Sequence, residues 1–293
     1  MMKLSLRTDL ALEQHEMAPQ NLQGIEIEKK RTGGMTLTTI HVTDEAGAKS
    51  IRRPVGTYVT AELKSIWLET AFGKAEIEAV AQEIEALLPK SGTALVCGLG
   101  NENITPDALG PKCSELIFAT RHIPETMQKQ LGFDRLRPVA RLTPGVLGQN
   151  GMETGEILLG VIQRISPAVL ITVDALASRR LERLGCTVQI SNTGITPGSG
   201  VGNARKEISE TTMGVPVIAI GVPTVVDAST LAYDLIGREN EPKTEPQGHK
   251  MMVTPREIDL LIERAARFVA FAVNKALQPQ LDAEDMALLA GGA

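Results

Sequence analysis

The sequence predicts an α/β protein with a mainly parallel sheet, helices on both sheet faces and a β-hairpin near the N-terminus. Two observations carry this. From Gly92 onward, apolar strand-length runs alternate with segments of helical periodicity, the pattern of strands joined by crossover helices. Before that point, two period-2 runs flank Arg31-Thr32-Gly33-Gly34, a hairpin signal. Aromatic residues are only 3% of the chain, so the core must be built from Val, Ile, Leu and Ala.

In chain order, Met1 to about Asn21 is polar, with a short apolar-periodic piece at Leu10-Ala11-Leu12. The hairpin strands are Gly24–Glu28 and Met35–Val42. A helix is expected over Ala75–Leu88, stopped by Pro89. Strands are expected at Ala94–Cys97, Val139–Leu142, Ala168–Val173, Thr187–Ile190 and Val215–Ile220, with helices at Glu156–Arg164 and Ala175–Leu184. Residues 237–250 are charged and rich in Pro and Gly, which predicts an exposed loop. Arg256–Leu277 has the period of a long helix, after which the terminus is expected to fray.

With 293 residues the chain is long enough for a full core. Its 43% hydrophobic and 22% charged residues are ordinary for a globular protein. A net charge of −5 argues against non-specific nucleic-acid binding. No stretch has the length of a membrane span, and the start lacks a signal-peptide core. Cys97, Cys113 and Cys186 show no CxxC spacing, so neither a disulfide framework nor a zinc site is expected; this usage suits a reducing cytoplasm. His15, His41, His122 and His249 form no HExxH pattern, and no phosphate-binding GxxxxGK[ST] loop is present.

The candidate chemistry lies at strand ends, where open α/β sheets bind ligands. The run Thr93–Cys97 breaks at Gly98, Gly100 and Asn101, and a loop then delivers Asp107 before Ala-Leu-Gly-Pro. A second carboxylate, Asp174, follows the apolar run Val169–Val173. Each could simply cap the next helix. Together at two strand ends of one sheet, they can split their pKa values into an acid and a base that activate water, or hold a divalent metal. Asp227 ends another apolar run, and helix capping is the simpler reading. The loop Ser191–Glu207 carries Gly198, Gly200 and Gly202; lacking the third fingerprint glycine where Asn203 stands, it suits a polypeptide groove better than a nucleotide cradle. Cys97 lies inside a strand and reads as an inert buried thiol.

Several segments together resemble the germination proteases of spore-forming bacteria. They are RTDLALE (Arg7–Glu13), GLGNENITPDALGP (Gly98–Pro111), TPGVLGQNGMETGEI (Thr143–Ile157) and ITVDALASRRLERL (Ile171–Leu184). QISNTGITPGSGVGNARKEIS (Gln189–Ser209), GVPVIAIGVPTVVDA (Gly214–Ala228) and MVTPREID (Met252–Asp259) complete the set. The resemblance implies an endopeptidase that degrades DNA-protecting small acid-soluble spore proteins during germination, in the spore core. It places the family's two essential aspartates on Asp107 and Asp174; by their positions at strand ends, Gly98, Asn101 and Asp227 are possible supporting residues. It implies a three-layer α/β/α sandwich with a mixed sheet, shared with hydrogenase maturation proteases, and assembly as a homotetramer. No cofactor is expected; a divalent metal between Asp107 and Asp174 stays open, and no membrane or direct nucleic-acid partner is implied.

Family members are made as zymogens, and their substrates are cut after an acidic residue followed by an aliphatic residue and Ala. Thr8-Asp9-Leu10-Ala11 fits that rule, so residues 1–9 are expected to be a propeptide cut between Asp9 and Leu10, with 10–293 a single peptidase domain. Compared with the family, Ser229–Met251 is short and polar. The alternatives are a metal-recognising maturation protease of the hydrogenase type and a non-catalytic binding protein whose carboxylates only cap helices.

Overall fold

The computed structural model describes residues 7–19, 22–63, 73–130, 133, 135–200, 202, 204–236 and 251–281. The expected loop at 237–250 and the terminus beyond 281 lie outside these residues. The chain begins with a short helix, α1 (Ala11–Met17), then the hairpin β1 (Ile25–Thr32) and β2 (Met35–Val42). Thr32 pairs with Met35 across Gly33-Gly34, and Gly33 takes φ +61°, a conformation that suits glycine. Helix α2 (Glu45–Ile51) follows, its first turn capped by the Asp44 carboxylate, which accepts the Gly47 N–H at 2.8 Å. Strand β3 (Gly56–Glu62) then pairs antiparallel with β2. Neither α2 nor β3 was expected from the sequence.

The remainder runs α3 (Lys74–Leu87), β4 (Ala94–Gly98), a 3-10 turn at Thr105–Asp107, α4 (Leu109–Glu115), α5 (Glu125–Gln130) and β5 (Val139–Leu142). Then come α6 (Leu147–Asn150), α7 (Thr154–Ile165), β6 (Val169–Ser178), a 3-10 turn at Leu181–Arg183, β7 (Thr187–Ser191) and α8 (Glu210–Met213). The chain closes with β8 (Val217–Asp227), α9 (Ala228–Ile236), β9 (Met252–Val253) and α10 (Ile258–Leu277). The expected strands β4–β8 and the helices α3, α7 and α10 are present, with further short elements between them.

All strands join one mixed sheet in the order β1-β2-β3-β7-β8-β6-β4-β5, with β9 paired to β8. The block β5, β4, β6, β8 is parallel, and β1, β2, β3, β7 and β9 extend it through antiparallel pairs. Strand β7 turns back because only residues 179–186 separate it from β6, too few for a helical crossover. Period-2 alternation sorts the side chains. In β4, Ala94 and Val96 join the core made with α3, α4 and α10, whereas Leu95 and Cys97 face Leu158 and Ile162 of α7. Helices on both faces make the three layers. The N-terminal α1 packs Ala11 and Leu12 against Ile40, Val42 and Tyr58 of the antiparallel wing.

The helix expected over Ala175–Leu184 is not formed. Strand β6 continues to Ser178, because β8 keeps pairing with it as far as Ser178↔Val226, with a bulge near Leu176/Ala177. The Ala-Leu-Ala-Ser run is helix-compatible locally, but the long apolar partner Val222–Val226 decides the outcome. This places Asp174 inside a strand instead of at a helix start.

The end of β4 is clamped to α4 through two glycines. A Cβ on Gly98 would meet the Gly110 carbonyl oxygen at 2.1 Å, and one on Gly110 would meet the Leu99 and Val173 carbonyl oxygens at 2.2 and 2.4 Å. Backbone cannot yield at such distances without moving the strand or helix. Gly110→Ala is therefore expected to destabilise the fold by about 1–3 kcal/mol or more, as overpacking does. Urea unfolding of the two proteins at equal pH measures this as a lower midpoint.

Candidate functional site

The last residue pair between β4 and β6 is Gly98↔Val173, and the Leu99 N–H bonds the Val173 carbonyl at 2.8 Å. Strands β6 and β8 run on past this point, still paired to each other. Asp174 is the first β6 residue beyond the pair. Its side chain is 5% exposed, and its Oδ1 accepts the N–H of Ala175 at 2.9 Å.

Asp107 reaches the same place from the loop after β4. Gly100 at φ +111° turns that loop, and a Cβ there would sit 2.1 Å from the Asp107 carbonyl oxygen. The Asn101 N–H donates to Asp107 Oδ2 at 2.8 Å. The Asn101 side chain instead accepts from Gln149 Nε2 at 2.8 Å and from the Asn103 N–H at 3.0 Å. Thr224 of β8 donates its hydroxyl to the Pro106 carbonyl at 2.7 Å, tying the Asp107 turn to the sheet. Asp107 does not cap α4, whose N-cap position is Ala108.

Asp107, Asp174 and Asp9 line one cavity of about 530 Å³, with Leu147, Pro197 and Arg205 among its other walls. Burial pushes the Asp174 carboxyl well above the usual carboxylate range, and the nearby charges of Asp107 and Asp9 push it further, against the Ala175 N–H bond. Burial also raises Asp107, but there the Asn101 N–H favours the charged form and opposes the rise. Both carboxyls are thus raised, and Asp174 has the larger set of causes pushing it up.

The N-terminal segment is bound at this site. The Asp9 N–H bonds the Ala177 carbonyl at 2.8 Å. The Asp9 carboxylate accepts from the Ala177 N–H at 2.9 Å and from Ser199 Oγ at 2.7 Å. Gln189 Nε2 donates to the Asp9 carbonyl at 3.0 Å, while Gln189 Oε1 accepts the Ala11 N–H at 2.6 Å. One side-chain amide thus spans the peptide bonds on both sides of Leu10, which is itself fully buried.

Beyond it, the buried Glu13 accepts the N–H groups of Arg179 and Arg180 at 2.7 and 3.0 Å and the Thr8 hydroxyl. Arg183 lies 3.4 Å from Glu13, 2.5 Å from Glu16 and 3.3 Å from Glu62. Burial works against the charge of both Arg183 and Glu16. Their mutual contact and neighbouring charges overcome this, so Glu16 is lowered and Arg183 raised.

The other singled-out residues take different places. Asp227 caps α9, its Oδ1 accepting the Thr230 N–H at 3.0 Å and the Thr230 hydroxyl at 3.3 Å; it does not line the cavity. Gly98 packs under α4 and acts only by letting β4 end there. Cys97 is fully buried with its thiol pushed up by burial, as an inert core cysteine should be. Among the described residues, no group of three or more His, Cys, Asp or Glu side chains is arranged to hold a metal, and no helix is long and apolar enough to cross a membrane. The roles of Ser199, Gln189 and the Ala177 backbone were missed from sequence. Their only signal was the glycine-rich loop, in which a Cβ on Gly200 would lie 2.0 Å from Asp9 Oδ2. That is the close polypeptide approach for which such a loop is suited.

The profile of the germination protease family matches residues 6–238. The chain belongs to that family of endopeptidases. Curated germination proteases from Caldanaerobacter subterraneus and Clostridium tetani are 44% and 40% identical, each over 97% of this chain and 97% and 98% of their own lengths. One from Bacillus cereus is 36% identical over 97% of this chain and 96% of its own. That alignment runs to 359 positions against 293 residues here, so the relative carries residues that this chain lacks. Among solved structures, a [NiFe] hydrogenase maturation protease from Thermococcus kodakarensis matches with a TM-score of 0.37 at 18% identity, over 65% of this chain and 98% of its own.

The raised Asp174 carboxyl has a consequence for stability. A carboxyl raised on folding binds its proton more tightly in the native state, so its contribution is full at pH below about 4, the unfolded value. It is lost as pH rises through the folded value. Asp174→Asn, which keeps an acceptor for the Ala175 N–H, is expected to raise Tm at pH 7. The gain should shrink toward zero as pH falls to about 4, which thermal melts of both proteins across that range would show.

Proposed function

We propose that this endopeptidase is made as a self-processing zymogen whose site is the Asp107–Asp174 pair, with small acid-soluble spore proteins as its substrates in germination. The observation that carries the reading is the convergence of three acids. The two strand-end carboxylates and Asp9, the residue before the expected cut, line one cavity, and Asp9 is held there by backbone and side-chain bonds. Residues 1–9 act as the propeptide and 10–293 as the peptidase domain. Assembly as a homotetramer and action in the spore core belong to the same proposal and rest on the family resemblance.

In the proposed reaction Asp107 is ionised and Asp174 protonated. Asp107 takes a proton from water as the oxygen attacks the carbonyl carbon between Asp9 and Leu10. Gln189 Nε2, already 3.0 Å from that carbonyl oxygen, holds the bond in position. Asp174 gives its proton to the Leu10 nitrogen as the C–N bond breaks, and the proton gained by Asp107 later restores the pair. Two carboxylates with separated pKa values are the requirement for such general acid–base work. A divalent metal held by Asp107 and Asp174 is the competing version, and chelation separates the two.

The full-length chain is expected to lose residues 1–9 on activation, leaving a product that starts at Leu10. This product should cut an α/β-type small acid-soluble spore protein after Glu or Asp before an aliphatic residue and Ala. Asp107→Asn and Asp174→Asn should keep the full mass and show no cleavage, EDTA should leave the wild type active, and Gln189→Ala should slow cleavage about 10²-fold. Intact-mass and fragment analysis reads each outcome. Full activity in either Asn variant would remove the dyad, and loss of wild-type activity in EDTA would favour the metal.

A further inference from the structure

We propose that Ser199 and the Ala177 N–H form the specificity pocket for the acidic residue preceding the cut bond, first in the propeptide and then in substrates. The proposal rests on the protease reading above and names the chemistry by which that site selects its substrate. In the full chain the pocket is occupied by Asp9, so its donors can be read directly.

Three features make it a pocket for a carboxylate. The Ala177 N–H and Ser199 hydroxyl both point at the Asp9 carboxylate, at 2.9 and 2.7 Å. The Asp9 N–H returns a bond to the Ala177 carbonyl at 2.8 Å, so backbone and side chain are gripped by one β6 residue. The strand is free to do this because its pairing with β4 ends at Gly98↔Val173. Gly200 closes the pocket, since a Cβ there would fall 2.0 Å from Asp9 Oδ2 and 2.8 Å from the Ala177 Cβ.

An amide side chain of the same shape binds here less strongly. The Ala177 N–H and the Ser199 hydroxyl reach Asp9 Oδ2 and Oδ1; Asn would offer its oxygen to the Ala177 N–H and its NH2 to the Ser199 oxygen, which accepts as well as donates, but both bonds would then be neutral. Hydrogen bonds to an ionised acceptor are about twice as strong as neutral ones. The pocket therefore selects charge through two hydrogen bonds and the close fit at Gly200. Substrates entering after the propeptide has left bind in the same way, as an added strand on β6 with the acid turned into this pocket.

The test compares wild type and Ser199→Ala, both prepared as full-length chains and used once intact mass shows residues 1–9 gone from each; slower processing of Ser199→Ala is itself expected. Peptides carrying Asp, Asn or Ala before a Leu-Ala pair are offered, and kcat/KM is read for each. Ser199→Ala is expected to lower kcat/KM for the Asp peptide about tenfold or more, as loss of a bond to a charged group does, and to leave the Ala peptide unchanged. The Asp-to-Ala preference then collapses by that factor. An unchanged preference would overturn the pocket.

A second readout needs no cleavage. In the full-length chain, hydrogen exchange of the Ala177 amide should speed up at least tenfold in Asp9→Ala and also rise in Ser199→Ala. Equal exchange in all three proteins would overturn the proposal. If wild type cuts no peptide yet Ala177 exchange responds as expected, the protease reading fails while the carboxylate pocket stands.

Discussion

Asp174 occupies the one stretch of β6 where a parallel neighbour has just stopped, and it is 5% exposed there. A lone ionised carboxylate so placed is costly, and the negative charges of Asp107 and Asp9 add to that cost. Burial and its neighbours' charge raise the Asp174 carboxyl, whereas the Asn101 N–H holds back the rise at Asp107. Asymmetry between two neighbouring acids follows from these local differences, and the proposed acid and base roles depend on it. The glycines at 98, 100 and 110 serve the same end, because each lets backbone approach where a Cβ would separate β4, α4 and the Asp107 turn.

The N-terminal segment meets the site through a second set of bonds. Glu13 and Glu16 hold α1 to Arg183 and to the N–H groups that follow β6, while Leu10, Ala11 and Leu12 are buried. Truncating one partner of a buried ion pair leaves an unpaired charge, so this anchor sets where the chain lies. Cleavage after Asp9 would release residues 1–9, the Asp9 carboxylate among them, and leave a new N-terminus at Leu10. The Asp9 carboxylate is itself one of the charges acting on Asp174, so its departure would relieve the crowding of negative charge at the site.

Much of this was legible in the sequence. The hairpin appears because Gly33-Gly34 sits between period-2 runs, and β5 and α10 appear because their periodicity is undisturbed. Asp174 stood out because it directly follows an apolar run, and Asp107 because a glycine-rich loop delivers it after one. The sequence misled at Ala175–Leu184, where β8, a partner distant in the chain, holds Ala175–Ser178 extended and only a 3-10 turn at Leu181–Arg183 follows. It was silent on β3, on Ser199 and on Gln189, whose roles exist only once β6, β7 and the glycine-rich loop are folded around residues 8–11. Asp227 shows the opposite case: a carboxylate at a strand end that does only what its local sequence suggests, capping α9.

In the proposed mechanism Asp174 keeps its proton to higher pH than Asp107 does. Carbon-13 NMR of labelled aspartate carboxyls in the full-length chain, assigned with the Asp107→Asn and Asp174→Asn proteins, tests this directly. The Asp174 carboxyl is expected to keep a protonated shift to higher pH than Asp107, which ionises first. Two carboxyls that both ionise near pH 4, the ordinary range for aspartate, would contradict it.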